Sequence, residues 1–307
     1  MAKPIIGFIG VGLMGHGMAK NIVERGYPLV VIAHRNRAPV EDLISRGASE
    51  VKTPKEMANQ CDIIHLCVSG SPQVESVIHG PEGILASEKS GLIVIDCSTS
   101  DPVSTLKLAD ELSAACMALA DAPLSRTPKE AEAGTLDTMV GADPETFEKI
   151  KPILDCWAGV IVHLGPVGLG HKMKLINNFI GMGYAVLYAE ALAIARKSGL
   201  TAEQVNSVIA PGRLSNGFYE TFMKWTLERD ENAHRFSITN AHKDMLYLAN
   251  MANAVGAVNP VQSAVKNSFA AMEATGSGEK YVPMLADFIA ELNGLKVGNQ
   301  PKLSIRR

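Results

Sequence analysis

Apolar residues fall in short runs through the first half of the 307-residue chain, at Ile5–Ile9, Leu29–Ala33, Ile63–Val68 and Leu92–Ile95. Amphipathic stretches of helical period separate them. Nearly continuous apolar runs alternating with helical segments are the pattern of βαβ units, whose parallel strands are buried on both faces. Runs at Cys116–Ala122, 139–141 and 160–164 extend the same sheet. Asp143-Pro144-Glu145 supplies a helix start, a capping carboxylate followed by proline in the first turn. The alternation stops at Gly165-Pro166-Val167-Gly168-Leu169-Gly170. From His171 to about Ser198 the pattern is helical for some 28 residues, longer than most globular helices. Helical patterns recur near 202–210, 216–228, 238–254, 260–275 and 281–293, with no comparable strand signal. The spacing predicts an α/β fold: a doubly wound parallel sheet over residues 1–164, then an all-α domain over 165–307 with a long linking helix. Residues 297–307 read as a loose basic tail.

The first strand runs into Gly10-Val11-Gly12-Leu13-Met14-Gly15, and a helix follows. G-x-G-x-x-G between a strand and a helix is the dinucleotide-binding fingerprint of a Rossmann-type domain. Gly10 permits the tight turn, Gly12 lets backbone approach a pyrophosphate, and Gly15 lets the helix pack on the strand. The turn through Leu13 and Met14 presents helix N–H donors to the phosphates. NAD-binding folds usually carry an acidic residue at the end of the second strand, for the ribose 2′-OH. This chain carries His34-Arg35-Asn36-Arg37 there, without a carboxylate and with two guanidiniums suited to a 2′-phosphate. The segment points to NADP in preference to NAD; the plainer alternative is that Arg35 and Arg37 are solvated loop residues.

Composition narrows the partners. Net charge is −3 with a pI near 6.3, which gives no electrostatic footprint for nucleic acid or an anionic membrane. No apolar run approaches the roughly 20 residues that span a bilayer. The first strand begins almost at once, with no export signal, so a cytoplasmic location is expected. The five cysteines are scattered without metal-ligand spacing and read as buried reduced thiols; no metal is expected.

Two segments carry chemistry. Lys174 and Asn178 are i,i+4 on the long helix, so they share a face, with Asn177 beside them. A lysine there can move the hydroxyl proton that accompanies hydride transfer, and an asparagine can orient the hydroxyl. The competing reading has Lys174 extended to solvent and the asparagines packing. The second segment, Asp121-Ala122-Pro123-Leu124-Ser125-Arg126-Thr127, follows a strand, where doubly wound sheets bind ligands. Ser125, Arg126 and Thr127 offer two hydroxyls and a guanidinium to a small anionic substrate; the alternative is a capping loop with Arg126 in solvent.

Taken together, these motifs resemble the β-hydroxyacid dehydrogenases, a family that includes 3-hydroxyisobutyrate dehydrogenase, tartronate semialdehyde reductase and sulfolactaldehyde reductase. The resemblance rests on residues 7–15 with Met18, Ala19 and Asn21, on Asp96-Cys97-Ser98-Thr99, on Asp121 to Ser125 with Gly134-Thr135-Leu136, on Gly168-Leu169-Gly170 with Lys174, Asn177 and Asn178, and on His242-Lys243-Asp244. It implies Lys174 as catalytic acid/base, Asn178 and Asn177 at the substrate, Ser125 on its carboxylate, and Thr99, Lys243 and the Val68 backbone at the coenzyme. It also implies a homodimer or homotetramer. The family's usual Ser-Gly-Gly is Ser125-Arg126-Thr127 here, similar to the Gly-Arg-Thr of sulfolactaldehyde reductase, which implies a sulfonate or a second carboxylate on the substrate. An imine reductase, which shares this fold, and a catalytically inactive nucleotide-binding relative are the alternatives.

Overall fold

The structure is a computed structural model and describes residues 3–297. Two compact units emerge, one running to Ile176 with Asn253–Val255, the other covering Asn177–Ala252 and Gly256 onward. The division falls inside the long helix, later than the 164/165 boundary read from the glycine-rich turn. Most of the expected basic tail lies outside the described residues.

The elements of the first unit run β1 (Ile6–Ile9), α1 (Gly15–Glu24), β2 (Leu29–Ile32), α2 (Ala38–Ser45), β3 (Ser49–Val51), α3 (Pro54–Gln60), β4 (Ile63–Leu66), α4 (Ser71–His79), β5 (Ile93–Asp96), α5 (Pro102–Ala114), β6 (Ala118–Asp121), β7 (Leu124–Ser125), α6 (Pro128–Ala133), β8 (Leu136–Gly141), α7 (Pro144–Leu154) and β9 (Ala158–Gly165). The long helix α8 (Leu169–Lys197) follows. The sheet order is β3-β2-β1-β4-β5-β6-β8-β7, with β9 also on β8. The six strands from β3 to β6 pair in parallel, as the alternating pattern predicts. The chain order reverses between β1 and β4, the switch point where doubly wound sheets bind ligands.

Successive strand residues feed opposite faces. Ile6, Phe8, Val31 and Ile95 join one core with Trp157, while Ile9, Val30, Ile64 and Val94 join the other. Four helices start with one local device: Thr53, Asp101, Thr127 and Asp143 each cap a helix whose first turn holds the following proline. β3 and β7 are absent from the sequence expectation. They are three and two residues long, and β3 is an edge strand whose first two residues are exposed, so neither leaves an apolar run.

The second unit contributes α9 (Ala202–Ile209), α10 (Gly217–Glu228), α11 (Ile238–Ala254), α12 (Pro260–Met272) and α13 (Leu285–Leu292). The helix expected to 275 gives way after Met272 to a π-turn containing Gly276 at φ +79°. One sequence expectation is corrected at α8. By length and composition this helix is apolar enough to cross a membrane, with mean hydropathy 1.3 over its most apolar window; core helices of soluble proteins pass the same test. Cys61, Cys97 and Cys156 are buried as expected, whereas Cys116 is exposed. Burial pushes the Cys61 and Cys67 thiols up to about 12, which keeps them protonated and inert.

His65 on β4 is fully buried, stacked on Phe8 at 5.4 Å and edge-on to Trp157. Neither ring nitrogen has a hydrogen-bond partner, and desolvation lowers its pKa from 6.5 to about 3. The neutral form is therefore favoured by folding. His65 leaves stability untouched above pH 6.5 and subtracts from it as pH falls towards about 3. Between pH 6.5 and 4.5, the stability of the wild type should fall faster than that of His65→Phe, by up to about 1.4 kcal/mol per pH unit. Urea melts across that range check this, and parallel pH profiles for the two proteins would sink it.

Candidate active site

The β1–α1 turn shows three glycines with three different reasons. Gly10 has φ +100°, and a Cβ there would lie 2.2 Å from the Cys67 carbonyl oxygen. A Cβ on Gly15 would lie 2.1 Å from the Gly10 oxygen and 2.9 Å from the Phe8 ring. Both are dictated by the chain's own packing. A Cβ on Gly12 meets nothing within 4 Å, so no internal contact demands glycine there. The bare backbone at Gly12 borders open space beside the start of α1, whose N-cap Met14 supplies no side-chain acceptor. That combination fits a pyrophosphate. Leu13 is exposed at the rim of the turn. Around it, His16 contacts Glu132 at 2.8 Å and Asp42 at 2.9 Å, and Asn21 donates to Gly17, Ala131 and Glu132 carbonyls, so α1 is held to both α2 and α6.

His34, Arg35, Asn36 and Arg37 form an exposed loop between β2 and α2. Arg37 is bidentate on Glu50 at 3.1 and 3.0 Å, with Glu41 3.5 Å away. The sequence reading found no carboxylate in this segment. The structure brings one in from β3, where Glu50 lies in register with Val31. Arg37's charge is thus already matched by Glu50, which is not the case the sequence presents, where Arg35 and Arg37 stand without a carboxylate. At the switch point, the Val68 N–H donates to Ser98 Oγ at 3.0 Å, and Thr99 follows in the loop after β5.

Asp121 ends β6 and is fully buried. Its two carboxylate oxygens accept the backbone N–H groups of Gly168 and His171, at 2.5 and 2.6 Å. The carboxylate thereby satisfies donors at the start of α8, which have no partners within the helix. Burial pushes the Asp121 pKa up, with His171 and the two N–H donors acting against that shift. A Cβ on Gly141 would lie 2.4 Å from Asp121 Oδ1, and one on Gly170 would lie 2.4 Å from the Met139 oxygen. Gly141 and Gly170 are therefore packing glycines. Lys174 stands partly buried in the second turn of α8.

Three residues beyond Asp121, β7 leads into Ser125 and Arg126. Ser125 is partly buried and pairs with Asp137 across the sheet. Arg126 adopts φ +82°, a left-handed conformation that favours glycine, and its Nε donates to Asp137 at 2.7 Å. Thr127 is committed elsewhere. Its hydroxyl donates to Glu130 at 2.5 Å and accepts from Lys129 N, completing the capping box of α6. The capping-loop alternative thus describes Thr127, whose hydroxyl is engaged at the start of α6, while Arg126 is held by Asp137.

In the second unit, Asn178 Nδ2 donates to Asp244 Oδ2 at 2.7 Å, while Asn177 is exposed. A carboxylate only accepts, so this bond fixes the amide with its carbonyl oxygen turned away from Asp244. Asp244 is buried, and its other oxygen lies 3.1 Å from Lys243 Nζ. The neighbouring His242 Nδ1 reaches Glu273 at 2.5 Å, a bond that lowers the Glu273 pKa. Sequence reasoning quoted Asp121 and Asp244 within motifs without giving them a task, and it passed over Glu50, Asp137 and His171. All except Glu50 are flagged by polarity at the edge of an apolar run.

The Rossmann sheet, the glycine cradle and the lysine on α8 define a dinucleotide-dependent oxidoreductase. Family models for the NAD binding domain of 6-phosphogluconate dehydrogenase and the NAD-binding region of NADP-dependent 3-hydroxyisobutyrate dehydrogenase match residues 5–165 and 168–286. The chain belongs to the β-hydroxyacid dehydrogenase family. It is 34% identical to the 2-(hydroxymethyl)glutarate dehydrogenase of Eubacterium barkeri, over 97% of this chain and 99% of that one. It is 28% identical to the 3-sulfolactaldehyde reductase of Escherichia coli (strain K12), over 90% of this chain and 92% of that one. The structure of Mycobacterium tuberculosis 3-hydroxyisobutyrate dehydrogenase with L-serine has the same fold, with TM-score 0.82 and 23% identity over 94% of this chain and 99% of that one. Solved imine reductases share the fold more distantly, at TM-scores of 0.57 to 0.60.

The glycines should separate experimentally. Gly12→Ala should leave stability within about 0.5 kcal/mol of wild type, as at an open surface position, yet weaken dinucleotide binding at least about tenfold, or 1.4 kcal/mol. Gly10→Ala should lower the melting temperature outright. Melting curves and coenzyme fluorescence titration check both; a Gly12→Ala protein with wild-type coenzyme affinity would remove the pyrophosphate from this turn.

Proposed function

We propose that this protein interconverts a small 3-hydroxy acid and its semialdehyde with NADP(H), and that the substrate carries a second anionic group, a carboxylate or a sulfonate. The observation that carries the reading is the pinning of α8 on Asp121. The same strand end leads within four residues to Ser125, so the lysine's helix and the candidate acid-binding loop share one anchor.

Bound nicotinamide supplies or accepts the hydride at its C4. Lys174 donates a proton to the substrate oxygen during reduction and takes it back during oxidation. Asn178 holds that oxygen, its amide kept in one orientation by Asp244. Ser125 holds the acid group. Arg126 addresses a second anion, since its bond to Asp137 uses Nε, which leaves the terminal N–H donors of a half-exposed guanidinium for a ligand. Arg35 supports NADP over NAD, and Lys243 contributes on the coenzyme side. The relatives' names denote a hydroxymethyl dicarboxylate and a sulfonated aldehyde, which agrees with a doubly anionic substrate. Exposed Ile180, Leu187 and Ile194 recur every seven residues on α8, which supports self-association through that helix as a dimer or tetramer. A cytoplasmic location is part of the same proposal.

Lys174→Ala should lower kcat at least ~100-fold while coenzyme still binds; near-normal kcat would reject the acid/base role. Arg126→Ala should raise KM for the best substrate in a panel of C3–C6 semialdehydes bearing carboxylate or sulfonate ends, with a smaller effect on monoanionic members. Equal KM changes across the panel would remove Arg126 from the substrate. Arg35→Ala should shift the NADPH/NADH preference towards NADH by at least about tenfold, measured as a ratio of kcat/KM.

A further inference from the structure

His171 is a fully buried titratable side chain to which the proposed reaction gives no task. It lies one residue past Gly170 and three before Lys174 on the same helix. Its backbone N–H is one of the two donors held by Asp121. Its ring reaches the other way, towards the coenzyme-side loops. Nε2 lies 3.1 Å from the Ser98 carbonyl oxygen, and Nδ1 lies 2.8 Å from Thr105 Oγ1 on α5. A carbonyl oxygen only accepts, so Nε2 carries the hydrogen. Thr105 Oγ1 also lies 3.1 Å from the Asp101 carbonyl oxygen at the cap of α5.

Ser98 is itself held from two further sides. Its N–H donates to Asp96 Oδ1 at 2.8 Å, and its hydroxyl accepts the Val68 N–H. Ser100 donates to Asp96 Oδ2 at 2.7 Å. The ring is flanked by Asp96 Oδ2 at 3.7 Å from Nε2 and Asp121 Oδ2 at 3.9 Å from Nδ1. One imidazole thus connects the ends of β4, β5 and β6 to the first turn of α8. All of these residues belong to the first unit. Buried networks of this kind fix geometry because a half-broken network leaves polar groups unsatisfied.

We propose that His171 is a positioning residue: its Nε2–H bond to Ser98 sets where Lys174 stands relative to the loop that carries Val68 and Thr99. A fully buried histidine in a merely packed helix could be replaced by an apolar residue of similar volume at the expense of stability alone. A positioning histidine could not, because catalysis loses orders of magnitude when reacting groups shift by about 1 Å. The inference rests on Lys174 acting as the acid/base.

The experiment uses His171→Leu, His171→Gln, Thr105→Val and Lys174→Ala in the full chain. In the coenzyme-free protein, nitrogen-15 NMR of labelled histidine should show one imidazole protonated at Nε2 with a slowly exchanging proton, lost in His171→Leu. An Nδ1-protonated ring, or rapid exchange at Nε2, would overturn the proposal. His171→Leu should lower kcat about 10- to 100-fold, with coenzyme affinity within about threefold and a larger primary isotope effect from coenzyme deuterated at C4. His171→Gln, whose amide can donate to the same carbonyl, should recover most of the rate. A His171→Leu enzyme with wild-type kcat and isotope effect, or a glutamine variant no better than leucine, would overturn it. If His171→Leu fails to fold, Thr105→Val decides: loss of the ring's second partner should lower kcat at least threefold with coenzyme affinity kept, and wild-type kcat would overturn the proposal. Lys174→Ala separates the two levels. An active Lys174→Ala enzyme sinks the functional reading, whereas an inactive one beside an unimpaired His171→Leu sinks only the role of His171.

Discussion

A buried carboxylate at the end of β6 organises this protein's first unit. Asp121 has no contact with solvent, and its two oxygens are spent on backbone donors at the start of α8. Removing a carboxylate from water is costly, and it is offset here by two short N–H bonds and the positive end of a 29-residue helix. The arrangement works because Gly141 and Gly170 leave no Cβ where the carboxylate and its strand must sit. The direction of α8, and with it the position of Lys174, follows from that contact. So does the closeness of the helix start to the segment leading to Ser125.

The same economy of means recurs at the sites for charge. Arg37 and Arg126, guanidiniums in the two loops the sequence singles out for anions, are each tied to a carboxylate from a neighbouring strand. A cation left to move in solvent would lose side-chain entropy on meeting an anion. A tethered one has already given up that freedom in folding. The tether also weakens the local positive field around each guanidinium. Arg126 adds a backbone constraint, since φ +82° is disfavoured for any residue with a Cβ.

The large features of this fold were legible in the sequence because they rest on local physics. Apolar alternation located β1, β2, β4 and β5, and the glycine turn located the dinucleotide cradle. What escaped was non-local or too short to have a period. β3 has one buried residue, so Glu50 could not be placed beside Arg37. Asn178 and Asp244 are 66 positions apart, and His171 and Ser98 are 73, so no periodicity could pair them. Thr127-Pro128-Lys129-Glu130 carries a local capping-box signal, which is why a capping loop is legible here as the alternative to a ligand loop, and the Thr127 hydroxyl does cap α6. The compact-unit boundary fell inside α8 because an unbroken helix gives no compositional sign of where its packing partners change.

The three glycines of the cradle have unequal evolutionary meaning. Gly10 and Gly15 are compelled by this chain's own backbone, so selection for folding alone would retain them. A Cβ on Gly12 would meet no atom of the protein within 4 Å, so packing does not hold a glycine there and selection for a ligand can. A descendant that abandoned its coenzyme would keep the outer pair and drift at the middle position while its sheet stayed intact. The middle glycine is therefore the letter of this fingerprint that records use, and its neighbours record only architecture.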